Sequence, residues 1–280
     1  GELQGEFHHP AWVNAVAISA DGELLATASD DGTAVVWDRR TGTQRLSVTH
    51  KDEVWAVAFG GEQTLLTGGK DGWLRTIDIT TGQDLHRFQF NGGVRGVALD
   101  PVTDALALEV RGTDDDQSWT DLMVVDRRSG EEISRIEHNG TFSRLAFSPD
   151  GDAIATATVR TGALKIWDTA TGDLRIEPGI SASSLSFSRD GRRLVAGGGY
   201  QEVAIIDMTD GRRIATLGEP GGVEAVQILA DGQTAVTYGQ DDSFRAWDLD
   251  TGEARWPRPA GRPDTSFVKL SGDGRRFADL

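Results

Sequence analysis

Apolar residues in this chain come in short runs, alternating or continuous, and none of the runs has a helical period. Val13-Asn14-Ala15-Val16-Ala17-Ile18, Leu24-Leu25-Ala26-Thr27-Ala28 and Thr33-Ala34-Val35-Val36-Trp37 set the type. Their lengths and their β-branched and aromatic content predict strands. The runs end at turn signals that repeat with a period. An apolar residue followed by Asp occurs at Trp37-Asp38, Ile77-Asp78, Val125-Asp126, Trp167-Asp168, Ile206-Asp207 and Trp247-Asp248, with steps of 40, 48, 42, 39 and 41 residues. Each Asp is followed, at its third and fourth positions, by a turn pair: Thr41-Gly42, Thr81-Gly82, Ser129-Gly130, Thr171-Gly172, Asp210-Gly211 and Thr251-Gly252. The carboxylate accepts backbone N–H groups two or three residues on, and the glycine supplies the positive φ that closes a hairpin. A second turn falls midway, at Asp21-Gly22, Asp150-Gly151, Asp190-Gly191, Asp231-Gly232 and Asp273-Gly274.

Each repeat therefore predicts four short antiparallel strands. One such sheet cannot cover both of its faces, so neighbours must stack and the series must close on itself. The small residues of the second strand (Ala26-Thr27-Ala28, Gly68-Gly69, Ala155-Thr156-Ala157, Ala196-Gly197-Gly198) suit sheets in close approach.

The pattern resembles the WD-repeat β-propeller family, with bacterial-type repeats, over essentially the whole chain. The fold expected from it is all-β, a seven-bladed β-propeller of four-stranded antiparallel blades with the last blade incomplete. It would form a single WD-repeat propeller domain over residues 1–280, a fragment of a longer protein, because a closed ring would need 13 further residues. The resemblance implies a structural tetrad inside a blade, matched here by His9, Thr27 or Ser29, Asp31 and Trp37. Later repeats depart from it: Ile77 replaces the Trp, Thr161 the Asp, and Phe90, Pro178 and Glu219 the His, while His50 and His138 keep it. The resemblance also implies that partners bind on the rim of strand-linking loops. The partner-binding positions carried over are Trp12, Asn14, Glu53, Trp55, Lys70, Arg95, Ser143, Arg160, Tyr200, Glu224 and Gln240. Trp12, Trp55 and Arg95 stand out as residue types that anchor interfaces.

Charge narrows the partner. The chain carries 44 acidic and 28 basic residues, a net charge of −16. A surface that negative repels phosphate backbones, so nucleic acid is not expected. No run of about 18 apolar residues exists, and no membrane partner is expected. Cysteine is absent, which removes disulfides and thiolate chemistry and fits a reducing, cytoplasmic location. The Ala-, Gly-, Arg- and Asp-rich composition fits a bacterial source.

No constellation points to catalysis. There is no G-x-S-x-G elbow and no phosphate-binding loop before a helix, and three of the five His sit at the tetrad position. The segment Arg111–Trp119 departs from the period and predicts a solvated, mobile loop. Its run Asp114-Asp115-Asp116 lacks the alternating spacing of a calcium loop. The expectation is a non-enzymatic scaffold or sensor module in signalling that binds a protein or peptide, with no cofactor and no metal, joined to a further domain in its full-length protein. The alternative is a propeller enzyme or small-ligand sensor with a site at the central channel.

Overall fold

The computed structural model describes residues 7–61, 63–114, 117–136, 142–158, 163–198, 203–219, 222–229, 231–241, 243–259, 268–270 and 277–279; of these, the side chains of 113, 114, 117, 118, 142, 143 and all residues from 256 onward lie outside the description. The chain order is β1 (Val13–Ile18), β2 (Leu24–Ser29), β3 (Thr33–Asp38) and β4 (Gln44–Thr49) in a first sheet, then β5 (Val54–Phe59), β6 (Thr64–Gly69), β7 (Trp73–Asp78) and β8 (Asp84–Gln89) in a second. A third sheet holds β9 (Gly93–Leu99), β10 (Ala105–Asp114), β11 (Gln117–Asp126) and β12 (Glu132–Ile136). The fourth holds β13 (Phe142–Phe147), β14 (Ala153–Thr158), β15 (Leu164–Asp168) and β16 (Leu174–Ile176). The fifth holds β17 (Ser184–Phe187), β18 (Arg193–Gly197), β19 (Val203–Asp207) and β20 (Arg213–Leu217). The sixth holds β21 (Val223–Ile228), β22 (Thr234–Gly239), β23 (Ser243–Asp248) and β24 (Ala254–Pro259), and β25 (Val268–Leu270) pairs with β26 (Phe277–Asp279).

All six complete sheets are simple antiparallel meanders, the blade architecture of a β-propeller, and a seventh, two-stranded sheet follows in chain order. The turn chemistry is the one the repeat predicts. Asp38 Oδ1 accepts the N–H groups of Arg40 at 3.1 Å and Thr41 at 3.0 Å, and Gly42, with φ of 70°, returns its N–H to the Asp38 carbonyl at 2.8 Å. The same glycine-to-Asp bond recurs at Gly82, Gly130, Gly172, Gly211 and Gly252.

Two compact units arise: one includes 2–99 and 104–139, the other 100–103 and 140–280. In the first unit, apolar clusters fill the space between successive sheets. Ala26, Ala28, Val36, Val54, Leu65 and Ile77 form one, and Leu66, Leu74, Val94, Leu106, Leu108 and Val125 the next. In the second unit, Ala155, Ile166, Ala182, Ala196 and Ile206 form one cluster, and Val195, Ile205, Val226, Ala235 and Trp247 another. There the hydroxyls of Ser184 and Ser186 accept the N–H groups of Val226 (3.0 Å) and Ile228 (2.9 Å), tying β17 to β21. Among the described residues no helix is long and apolar enough to cross a membrane.

Close sheet approach explains the small second-strand residues. A Cβ on Gly68 would stand 2.6 Å from Val94 Cγ1 and 2.9 Å from the Val94 carbonyl oxygen. Gly68→Ala is therefore expected to destabilise the chain by about 1–3 kcal/mol through overpacking, measured by chemical denaturation.

Of the segment 111–119, expected as a mobile loop, the described residues belong instead to β10 and β11, which pair as Arg111↔Thr120, Gly112↔Trp119, Thr113↔Ser118 and Asp114↔Gln117, while Asp115 and Asp116 lie outside the described residues. The acidic run draws attention away from the alternation on either side of it. Trp119 supplies the apolar surface: it packs with the Leu106–Leu108 cluster, and its ring lies where a Cβ on Gly112 would be, 2.2 Å from the nearest ring atom.

Candidate functional site

Within the first sheet the tetrad forms as a chain of hydrogen bonds. Trp37 Nε1–H donates to Thr27 Oγ1 at 2.9 Å, Thr27 Oγ1 meets His9 Nε2 at 2.7 Å, and His9 Nδ1 meets Asp31 Oδ2 at 2.8 Å. Because the Asp31 carboxylate can only accept, His9 Nδ1–H donates to it, and in the neutral imidazole Nε2 then accepts the Thr27 hydroxyl proton. Burial pushes the Asp31 carboxyl up, and the bonds from Thr33 and His9 outweigh it, so the carboxyl ends below its ordinary value. The joining hydroxyl is Thr27, not Ser29. Ser29 lies to one side, where its Oγ accepts the Asp31 N–H at 3.2 Å.

The second sheet keeps three members: His50 Nε2 meets Thr67 Oγ1 at 2.9 Å and Nδ1 meets Asp71 at 3.1 Å, with Ile77 in the Trp position. In the fourth, Trp167 donates to Thr156 Oγ1 at 2.8 Å, while His138 and Thr161 lie outside the described residues. The sixth replaces the His by Glu219 and compensates. Thr237 donates to Glu219 Oε1, Trp247 donates to Thr237 at 2.8 Å, and Arg245 bridges Glu219 Oε2 (2.8 Å) to Asp241 (2.5 Å). Arg245 is a residue that sequence reasoning missed. Its signal was an arginine four residues after the turn Asp in the repeat that carries Glu for His.

The inner-strand candidates share a feature that spacing did not reveal. Register shifts fall between Val13 and Ala15, Val54 and Ala56, Phe142 and Arg144, and Val223 and Ala225. The strand pair of β9 and β10 shifts likewise, with Val94 opposite Val110 and Gly96 opposite Glu109. Asn14, Trp55, Arg95, Ser143 and Glu224 are thus each the extra residue of a β-bulge, a device that re-aims a side chain at a sheet end.

In the first unit these side chains gather at the edge where β1, β5 and β9 begin. Trp12 is 83% exposed. Asn14 Nδ2 donates to Asp30 Oδ1 at 2.6 Å and to the Val54 carbonyl at 3.0 Å, linking the first sheet to the second. Trp55 Nε1–H donates to Glu53 Oε2 at 2.8 Å, and Lys70 Nζ lies 2.8 Å from Glu53 Oε1. The exposed Arg95 guanidinium stacks 5.7 Å from the Trp55 ring centroid. Gly93 leaves room for that ring, since a Cβ there would meet it at 2.4 Å. The hydrogen bonds from Lys70 and then Trp55 hold the Glu53 carboxyl below its ordinary range.

In the second unit, Glu224 is half-buried and Gln240 exposed. Gln240 N–H donates to the Gly222 carbonyl at 3.2 Å. Arg160, Tyr200 and the side chain of Ser143 lie outside the described residues. A polar cleft of about 420 Å³ in this unit is lined by Arg189, Asp190, Arg193, Asp231 and Asp250 among others. Among the described residues no group of three His, Asp or Glu side chains is placed to hold a metal ion.

The turn carboxylates titrate abnormally low. A hydrogen bond from Arg45, at 2.6 Å, and then the Thr41 N–H lower the Asp38 carboxyl to about 2. Arg255 and the Thr251 N–H do the same to Asp248, also to about 2. A carboxyl depressed in the fold stabilises it above the unfolded value near 3.8, and this contribution fades as pH falls from there through about 2. An NMR titration is expected to place the Asp38 midpoint near 2, and Arg45→Ala is expected to move it upward.

Comparison with known proteins agrees with this architecture. The family model "WD domain, G-beta repeat" (WD40) matches residues 1–38, 42–78 and 130–168. WD and tetratricopeptide repeats protein 1 of Mus musculus and of Homo sapiens is 32% identical over 107 residues, 36% of this chain and 15% of that protein. Small ribosomal subunit protein RACK1 of Schizosaccharomyces pombe (strain 972 / ATCC 24843) is 27% identical over 119 residues, 42% of this chain. The chain thus spans 15% of the length of the mouse and human relatives and 38% of the yeast one. The solved structure of the computationally designed Ika8 protein matches the fold with a TM-score of 0.77 and 21% identity, over 100% of this chain and 87% of that one.

Proposed function

We propose, from the premise that this chain carries WD40 repeats in blade-like sheets, that it is an interaction scaffold or sensor module whose partner protein or peptide docks on the edge bearing Trp12, Asn14, Trp55 and Arg95. One observation supports this above the others: bulges at successive inner strands present an asparagine, a tryptophan and an arginine at a single edge, next to a Trp12 that is 83% exposed. Exposed aromatic and arginine side chains of this kind are the usual energetic anchors of interfaces. The net charge of −16 supports a protein partner over nucleic acid. A cytoplasmic setting, a part in signalling, a bacterial source and attachment to a further domain belong to the same proposal. The bacterial source rests on composition, and the three relatives named above are eukaryotic.

The test is a double variant. Trp55→Ala with Arg95→Ala is expected to leave the melting temperature nearly unchanged and to weaken peptides selected on the wild-type chain by at least about 1–2 kcal/mol. Equal retention of those peptides by the double variant would remove the edge from consideration.

A further inference from the structure

The first two sheets present the same pair of positions at this edge. Asp30 N–H donates to the Trp12 carbonyl at 2.8 Å, and Lys70 N–H donates to the Glu53 carbonyl at 2.9 Å. Each bond sets two residues side by side just beyond the paired ends of the inner and second strands. In the second sheet the pair is complete in itself, with Lys70 Nζ 2.8 Å from Glu53 and 3.6 Å from Asp52. In the first sheet the same positions hold an aromatic ring and a carboxylate. Asn14 Nδ2 donates to Asp30 Oδ1, and no described Lys or Arg forms an ion pair with Asp30.

The neighbouring sheets show what a tryptophan beside a carboxylate accommodates, with the ring, Trp55, at the bulge position that Asn14 holds in the first sheet. The Arg95 guanidinium rests over the Trp55 ring, and the Glu53 carboxylate accepts that ring's N–H at 2.8 Å. Tryptophan, carboxylate and guanidinium are all supplied by the chain there. At Trp12 and Asp30 the first two are present, and among the described residues no guanidinium is recorded over Trp12 or paired with Asp30. A ring face attracts a cation through its quadrupole, and an adjacent carboxylate adds Coulomb attraction. The net charge of −16 further draws basic partners toward the surface.

We infer that Trp12 and Asp30 form a subsite for a cationic side chain, arginine or lysine, of the partner that docks on this edge. The inference rests on the edge reading above and names the partner's chemistry: a segment with a basic residue that covers Trp12 while its neighbours contact Trp55 and Arg95.

The subsite is tested on the full chain by NMR of the indole Nε1–H signals, with that of Trp12 assigned by Trp12→Phe. The probes are Nα-acetyl-arginine amide, Nα-acetyl-lysine amide and the uncharged Nα-acetyl-citrulline amide. Both cationic probes are expected to move the Trp12 signal and citrulline to leave it in place. Asp30→Asn is expected to weaken the cationic response at least fivefold with unchanged melting. An equal response to citrulline, or an undiminished one in Asp30→Asn, overturns the subsite. The edge reading is judged separately, by the loss of selected peptides in the Trp55 and Arg95 double variant. Peptides that depend on those two residues, yet neither favour Arg or Lys nor weaken in Asp30→Asn, would reject the subsite alone.

Discussion

Arg245→Ala is expected to destabilise the sixth sheet by about 3–4 kcal/mol, more than other single truncations at the surface of this chain. The Glu219 side chain is 1% exposed and the Arg245 side chain 15% exposed. Glu219 stands in the position a histidine holds in the first two sheets, where that histidine bonds both a threonine hydroxyl and the turn aspartate. A carboxylate there cannot hydrogen-bond to Asp241, and the two would repel. The Arg245 guanidinium, donating to both carboxylates, converts that repulsion into a bridge. Its removal leaves a buried charge facing a second acid. Urea denaturation and hydrogen exchange of β22 and β23 amides would measure the loss. Adding Glu219→Gln to Arg245→Ala is expected to recover most of it, since the uncompensated charge is then gone. A pH readout accompanies this. The hydrogen bond from Arg245 lowers Asp241 to about 2, so in the wild-type chain this contribution persists above about 3.8 and fades as pH falls through about 2. The variant keeps only the part of that dependence that the Ser243 hydrogen bonds supply. A cost below about 1 kcal/mol would show that water replaces the bridge.

Thr27→Val is expected to cost about 2–4 kcal/mol, and Thr67→Val only about half as much. Both hydroxyls are buried, at 3% and 0% exposure. The Thr27 hydroxyl joins two side chains, accepting from Trp37 and bonding His9 Nε2. Valine keeps the shape and leaves an indole N–H and an imidazole nitrogen without partners. In the second sheet the Ile77 side chain has no N–H, and only the His50 bond to Thr67 is lost. Paired unfolding measurements of the two variants decide the matter, and equal costs would mean that packing at the second strand, not the hydrogen-bond chain, governs the effect.

The same residues show how far local pattern reaches. Thr27 and Ser29 both lie on the second strand, two residues apart on one face, and spacing alone left either as the tetrad hydroxyl. The choice depends on where the Trp37 indole, ten residues on and across the β2–β3 pairing, delivers its proton. Arg245 was visible as a residue but not as a bridge, because its role needs Glu219 to lie beside Asp241, which are distant in sequence. The residues flanking Asp115 and Asp116 read as part of a loop because three acids in a row weaken strand propensity, whereas cross-strand pairing makes 111–114 and 117–119 parts of β10 and β11.

The chain by itself determined its period, its turns and its strands, because these rest on contacts within a few residues: a carboxylate over the next two N–H groups, a glycine with positive φ, apolar runs of strand length. Tertiary structure decided which side chains stand together at the edge. Asn14, Trp55 and Arg95 owe their direction to bulges, and a bulge is a property of two strands in register, not of either one.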